Sequence, residues 1–237
     1  MLPPLPPPLD QALLAGVEAG PKRQRTRRQL LLAAMQVYSQ KGVAGASLQD
    51  IAAAAGVASG TIYNYFSTRE EVAEHAALWL ATTLCECIAQ GHAAVRRGAE
   101  RMAFGNRRYL WLAEHSPAWA LLLLDVGAAV PAFAAAIRAY AVEDLRLGLQ
   151  QKEFRIFSEA AAVDLVGGTI GSAMASIAHG QAPAGHASAV VATVLQGLGL
   201  TAGEAQDIAR LPLPELVVPE PADVEASRGR PAPRPRG

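Results

Sequence analysis

Residues 47–72 read SLQDIAAAAGVASGTIYNYFSTREEV, and this stretch decides the fold. Ser47 carries a hydroxyl where a helix N-terminus needs an acceptor, and Asp50 stands three residues on, the spacing of a capping box. Leu48, Ile51, Ala52 and Ala55 follow at helical spacing and form one apolar stripe. Gly56 ends the run as a C′ residue with positive φ would. Val57 and Ala58 make a turn, and Ser59 is placed to cap a further helix over about Gly60–Phe66. Ser67 or Thr68 then caps a long helix whose first turn holds Glu70 and Glu71, where the dipole favours negative charge. Upstream, a first helix over about Thr26–Gln40 lines up Leu30, Ala33, Ala34, Val37 and Tyr38 on one face, with a break at Gly42.

Two short helices joined by a glycine-containing turn make a helix-turn-helix, whose second helix fits a DNA major groove. Ala52, Ala55 and Gly56 are small enough for the two helices to cross closely. Ile51, Val57, Ile62 and Phe66 lock the crossing from inside. That leaves Ser59, Gly60, Thr61, Tyr63, Asn64 and Tyr65 on the outer face. Hydroxyls and amides suit phosphate oxygens, Asn64 suits an adenine edge, and the Thr61 methyl suits a thymine methyl. Ser47 and Arg69 are placed for flanking phosphates, and Arg25 and Arg27 belong to a basic lead-in that adds counterion-releasing contacts.

The net charge of the 237-residue chain is zero, which taken alone argues against a polyanion partner. Its distribution reverses that. Between Pro21 and Arg69 there are seven basic residues (Lys22, Arg23, Arg25, Arg27, Arg28, Lys41, Arg69) against Asp50 alone, a local +6, so the remainder carries −6. One end suits contact with a nucleic acid.

Composition is 51% hydrophobic with 5% aromatic residues, and the apolar share is dominated by Ala and Leu, which favours helix. No alternating run reads as a strand. Cys85 and Cys87 sit two apart in a helical pattern, point in different directions, and read as reduced thiols. No cofactor, metal or catalytic motif is found: the five histidines are scattered, and GxSxG, P-loop and GxGxxG patterns are absent. The proline-rich start lacks the basic and apolar regions of a signal peptide. The apolar run from Trp119 to Ala136 is interrupted by Asp125, Gly127 and Pro131. A soluble, cytoplasmic protein without membrane contact is expected.

Taken in register, Ser47-Leu48-Gln49-Asp50-Ile51-Ala52, Ala55-Gly56-Val57-Ala58-Ser59-Gly60-Thr61-Ile62-Tyr63-Asn64-Tyr65-Phe66 and Arg69-Glu70 resemble the DNA-binding signature of the TetR family. Departures are small: Ser47 for Thr, Ala58 for Ser, Arg69 for Lys. The resemblance covers about Gln24–Ala73 and, in layout, continues to about Arg210. It implies an all-α homodimer with a three-helix helix-turn-helix DNA-binding domain followed by a larger helical ligand-binding and dimerisation domain. The expected division is a flexible arm over 1–20 with a short helical stretch about Gln11–Val17, the DNA-binding domain over 21–67, the effector-binding and dimerisation domain over 68–211, and a disordered tail over 212–237.

In the body, helices are expected over about Val95–His115, from Trp119, over Ala132–Lys152, Ser158–His179 and His186–Leu198, with a closing helix over Thr201–Leu211. The resemblance puts an effector cavity among them. Aromatic candidates for an apolar pocket are Trp79, Tyr109, Trp111, Trp119 and Tyr140, with Asn106, His115 and Asp125 as polar contacts. Gly167, Gly168, Gly171 and Ala175 would let another helix approach, and Val190, Val191, Val194 and Leu198 would supply apolar area. Together they read as a dimer interface, which the resemblance also places here. The implied function is regulation of transcription by a dimer bound to a pseudo-palindromic double-stranded DNA operator. The implied output is a repressor released by a small, largely apolar effector. Two alternatives stay open on the residues alone: a DNA-binding dimer without an effector, and a helical carrier or enzyme.

Overall fold

The computed structural model describes residues 5–18, 20–129 and 131–217, and all regular structure among them is helical. The first helix, α1 (Pro7–Glu18), corrects the expected flexible arm. Its prolines sit in the first turn, where the missing N–H costs nothing, and Pro6 O accepts from Leu9 N and Asp10 N. Leu5, Leu9 and Leu13 recur every fourth residue and are buried. They join the core shared by the next helices, and Arg28 Nη1 donates to Gly16 O at 2.7 Å. α1 packs on both α2 (Lys22–Gly45) and α5 (Arg69–Gly91).

Helix α2 runs longer than expected at its start and is interrupted at Gly42, whose φ is 70°. Helix α3 (Leu48–Ala54) opens with the capping box complete: Ser47 Oγ accepts from Asp50 N, and the Asp50 carboxylate accepts from Ser47 N. Asp50 is held down to about 2 by hydrogen bonds from Lys41 and Ser47. Gly56, at φ 68°, closes α3. Its N–H reaches Ala53 O and that of Val57 reaches Ala52 O, the paired bonds of a Schellman motif. Helix α4 (Ser59–Ile62) is shorter than its apolar pattern suggested, and tight turns carry the chain on through Tyr65. Ala58, not Ser59, takes the N-cap position, and with no side-chain oxygen there the cap is unmade. Thr68 caps α5 by accepting from Glu71 N.

The body consists of α5 with α6 (Gly98–His115), α7 (Pro117–Ala129), α8 (Pro131–Gln150), α9 (Glu159–Ala178), α10 (His186–Gly197) and α11 (Ala202–Arg210). Two apolar clusters fill the molecule. One joins α1–α5 with Trp119, Leu122, Leu123 and Val126 of α7; the other joins α6, α9, α10 and α11. α5 belongs to both head and body, so no apolar seam separates them. By length and composition α5 and α9 could each cross a membrane; most of the apolar span of α5 is buried in this core.

The expected tail divides in two. Residues 212–217 lie against the body: Arg107 donates to Leu211 O, Arg108 to Pro214 O, and Leu216 packs on the core. Glu215 O passes so close to Gly91 that a Cβ there would sit 2.7 Å from it, so the site requires glycine. The remainder of the tail, with its four arginines, lies outside the described residues.

Because Leu13 is fully buried, Leu13→Ala is expected to cost about 2–5 kcal/mol of unfolding free energy. A urea titration followed by circular dichroism measures this, and an unchanged midpoint would mean that α1 is undocked in solution.

Candidate DNA interface and effector cavity

The helix-turn-helix presents a continuous polar strip. Ile51, Ile62 and Phe66 are fully or almost fully buried and fix the α3–α4 crossing. Ser59, Gly60, Asn64 and Tyr63, the last 52% exposed, face outward, with Thr61 and Tyr65 half-buried beside them. Gln49 joins the strip: its Nε2 donates to Tyr63 Oη at 3.1 Å, tying α3 to the segment after α4. Sequence reading omitted Gln49, although its place opposite the apolar stripe of α3 marks it as outward-facing. Ser47 is occupied by its cap rather than free for a phosphate.

The basic residues divide. Arg25 is exposed. Arg27 lies over the Phe66 ring at 5.1 Å, and burial lowers its pKa. Arg23 stands 6.0 Å from the centre of the Tyr65 ring. Arg69, expected at a flanking phosphate, is exposed and also bonds at the joint: Nη1 donates to Ala44 O at 2.7 Å and Nε to Glu70 at 2.6 Å. Its own carbonyl accepts from Tyr38 Oη at 3.2 Å. Burial, followed by Glu70, raises the Tyr38 phenol well above its ordinary value, which keeps it a donor.

A cavity of about 550 Å³ lies among α5, α6, α7, α8 and α9. Of the expected aromatic lining, Tyr109 and Tyr140 are in the wall, as is Asn106. The tryptophans lie elsewhere. Trp79 lies against Gly16 of α1, where an added methyl would sit 3.3 Å from the indole. Trp119 is 2% exposed in the core. Trp111 stacks with Arg108 and with His115, which is exposed. Asp125 is also exposed and is not in the wall.

The cavity has two chemically different sides. Leu123 and Leu124 of α7 and Val166, Ile170 and Met174 of α9 make an apolar side. The other side, from α5, α6 and α8, carries polar groups. Cys85 Sγ and Tyr109 Oη are 2.9 Å apart. Burial pushes the Cys85 thiol up to about 12 and the Tyr140 phenol to about 12, so both stay protonated at neutral pH. His92 is pushed down to about 4 by burial and then by Arg101 and Arg108, so its imidazole is neutral. Arg101 Nε lies 2.7 Å from Asp144 Oδ1. The two are close but poorly aligned, and neither atom makes a well-formed hydrogen bond. Burial outweighs the guanidinium and raises the Asp144 carboxyl to about 6. Asn106, 7% exposed, has no partner for Nδ2 among the described residues.

The expected dimer residues also divide. Val190, Val191, Val194 and Leu198 face inward and are 0–9% exposed, packed within the protomer's own cluster beneath α6, α9 and α11. This corrects their reading as interface: the closing helix α11 completes a core that needs their apolar area. Gly167 and Gly168 of α9 are exposed with open space above them, and with Gly171 they also border the cavity. Ala175 is half-buried on the same helix.

Comparison with known proteins agrees with this geometry. Residues 30–76 match the family described as bacterial regulatory proteins, tetR family, and residues 98–211 match the tetracyclin repressor-like C-terminal domain. The crystal structure of RolR in complex with resorcinol is similar at 28% identity and a TM-score of 0.69, over 83% of this chain and 98% of that one. RolR without ligand gives 26% identity and a TM-score of 0.66, over 80% and 99%. FadR from Bacillus subtilis, in complex with stearoyl-CoA, shares the fold at 21% identity and a TM-score of 0.59, over 72% and 96%. With both its head and its body matched in order, the chain belongs to the TetR family of DNA-binding transcriptional regulators.

Proposed function

We propose that this regulator acts as a homodimer on a pseudo-palindromic operator and is released from it by a small molecule bound in the α5–α9 cavity. The observation that carries this reading is the course of α5. The helix begins at the joint with the head, where Arg69 bonds Ala44, and its later turns supply Cys85, Ile88 and His92 to the cavity wall. A ligand there and the orientation of the head therefore bear on one rigid element. A molecule that fits better when the heads are splayed shifts the dimer away from the DNA-competent state.

In the bound state each α4 and the turn after it enter a major groove, with the heads roughly 34–36 Å apart. Gln49, Thr61, Tyr63 and Asn64 meet base edges and phosphates. Gly60, with nothing near its missing side chain, lets the backbone approach a phosphate. Arg25 adds a contact on the flank. The outer face of α9 around Gly167 and Gly168 is the candidate pairing surface; one head alone makes too few contacts for tight specific binding. Repression is the proposed output, and a cytoplasmic location follows from DNA as the partner. That RolR is solved with resorcinol supports a compact effector for this chain too.

Fluorescence anisotropy with DNA from the protein's own upstream region, taken through a salt series, tests the reading. Tight binding with a clear margin over scrambled DNA is expected; equal binding to both refutes sequence-specific recognition at that DNA. Tyr63→Ala and Asn64→Ala are each expected to lose about 1–3 kcal/mol of discrimination while sedimentation still reports a dimer. Retained selectivity in both would remove the α4 segment from the reading surface. Arg25→Ala should weaken binding to all sequences alike and reduce the salt slope by about one; an unchanged slope takes Arg25 off the phosphate backbone.

A further inference from the structure

We infer that the cavity selects an uncharged, compact molecule bearing a hydroxyl group, seated against His92, Arg101, Asn106 and Asp144. This rests on the cavity being the effector site, as proposed above, and concerns which chemistry that site accepts.

Charge is the first discriminator. The wall contains two guanidinium groups, and each already faces a carboxylate: Arg101 with Asp144 at 2.7 Å, and Arg138 with Asp164 at 3.0 Å. Glu143 adds a third acid at the rim, exposed like Arg138 and Asp164, and His92 is neutral. An anion entering here finds both guanidinium groups already facing carboxylates and must lose its water beside Asp144. A cation must lose its water beside the Arg101 guanidinium, which stands in the same wall. Neither sign of charge is compensated.

Hydrogen bonding is the second. Along the polar side, Asn106 Nδ2, Arg101 Nε and Asp144 Oδ1 are buried without well-formed partners. Neutral His92 offers one donor and one acceptor. Donors and acceptors therefore sit side by side, and a hydroxyl is the small group that serves both, accepting from an amide or guanidinium and donating to a carboxylate or imidazole. A purely apolar ligand would leave this side unpaired and dry, which is unfavourable. The opposite side, with Leu123, Leu124, Ile170 and Met174, takes the hydrocarbon body. A cavity of about 550 Å³ suits a molecule of one or two rings.

A matched series on one ring system tests this by isothermal titration calorimetry with the full chain: 2-naphthalenemethanol, 2-naphthoate, 2-naphthylmethylammonium and 2-methylnaphthalene. The alcohol is expected to bind at least about tenfold tighter than each of the other three. Asp144→Asn keeps the shape and leaves Arg101 uncompensated, so naphthoate should gain about tenfold or more while the alcohol changes less. Ala141→Trp places an indole in the cavity wall and should abolish binding of all four. If Ala141→Trp leaves binding intact, the probes sit elsewhere and the assignment of the site fails. If it abolishes binding but naphthoate or the ammonium equals the alcohol in the unaltered protein, the site stands and the inference about charge is overturned. No binding by the alcohol overturns the inference outright.

Discussion

The joint between α2 and α5 is the constraint on which the rest of the molecule depends. Arg69 reaches back to Ala44 O while its own carbonyl accepts from Tyr38 Oη. Two bonds of opposite direction thus fix where α5 leaves the head. Tyr38 is 5% exposed, so its bond forms partly out of water, where an unpaired group is costly, while that of Arg69 closes the joint at the surface. From that point α5 runs on as a single helix through one apolar cluster and into the cavity wall. Head and body share one helix, anchored at the joint at one end and bordering the cavity at the other.

The cavity exists because of what its neighbours refuse. α9 brings Gly167, Gly168 and Gly171 to the border of the space, and α6 brings Asn106 and Arg101 to a position that large apolar residues would otherwise fill. Interiors normally close to high density. Here ion pairs between helices stand at the wall, and their geometry leaves hydrogen-bonding capacity unused. Such a wall tolerates emptiness poorly and a well-chosen guest readily.

Features set by local chemistry were legible in the sequence. Ser47 and Asp50 cap α3, Gly56 ends it, and the small residues at 52 and 55 permit the crossing; each depends on neighbours within a few positions. The head could be read for that reason. Features set by distant partners were not. Leu5, Leu9 and Leu13 have helical spacing, but the surrounding prolines suggested a loose arm until α2 and α5 supplied a surface. The valines of α10 looked like an interface because the sequence shows a closing helix after them but not that α11 folds back to cover them. Tryptophans drew attention to the wrong walls. The cavity is instead marked by Arg101 and Asp144, residues on separate helices whose meeting only the fold reveals.

Helix α1 has a consequence for the set-point of the regulator. It touches α2 on one side and α5 on the other, and Arg28 pins its last turn. Any rotation of the head against the body has to carry α1 along or peel it away. On the proposed dimer switch, the energy of that clasp enters the resting balance between the two states before DNA or ligand is present, and apparent affinities for both scale with that balance. Changes in α1 can thus tune the dose at which the switch turns without altering which sequence is read or which molecule is sensed. On that reading, threshold and specificity belong to separate parts of the chain.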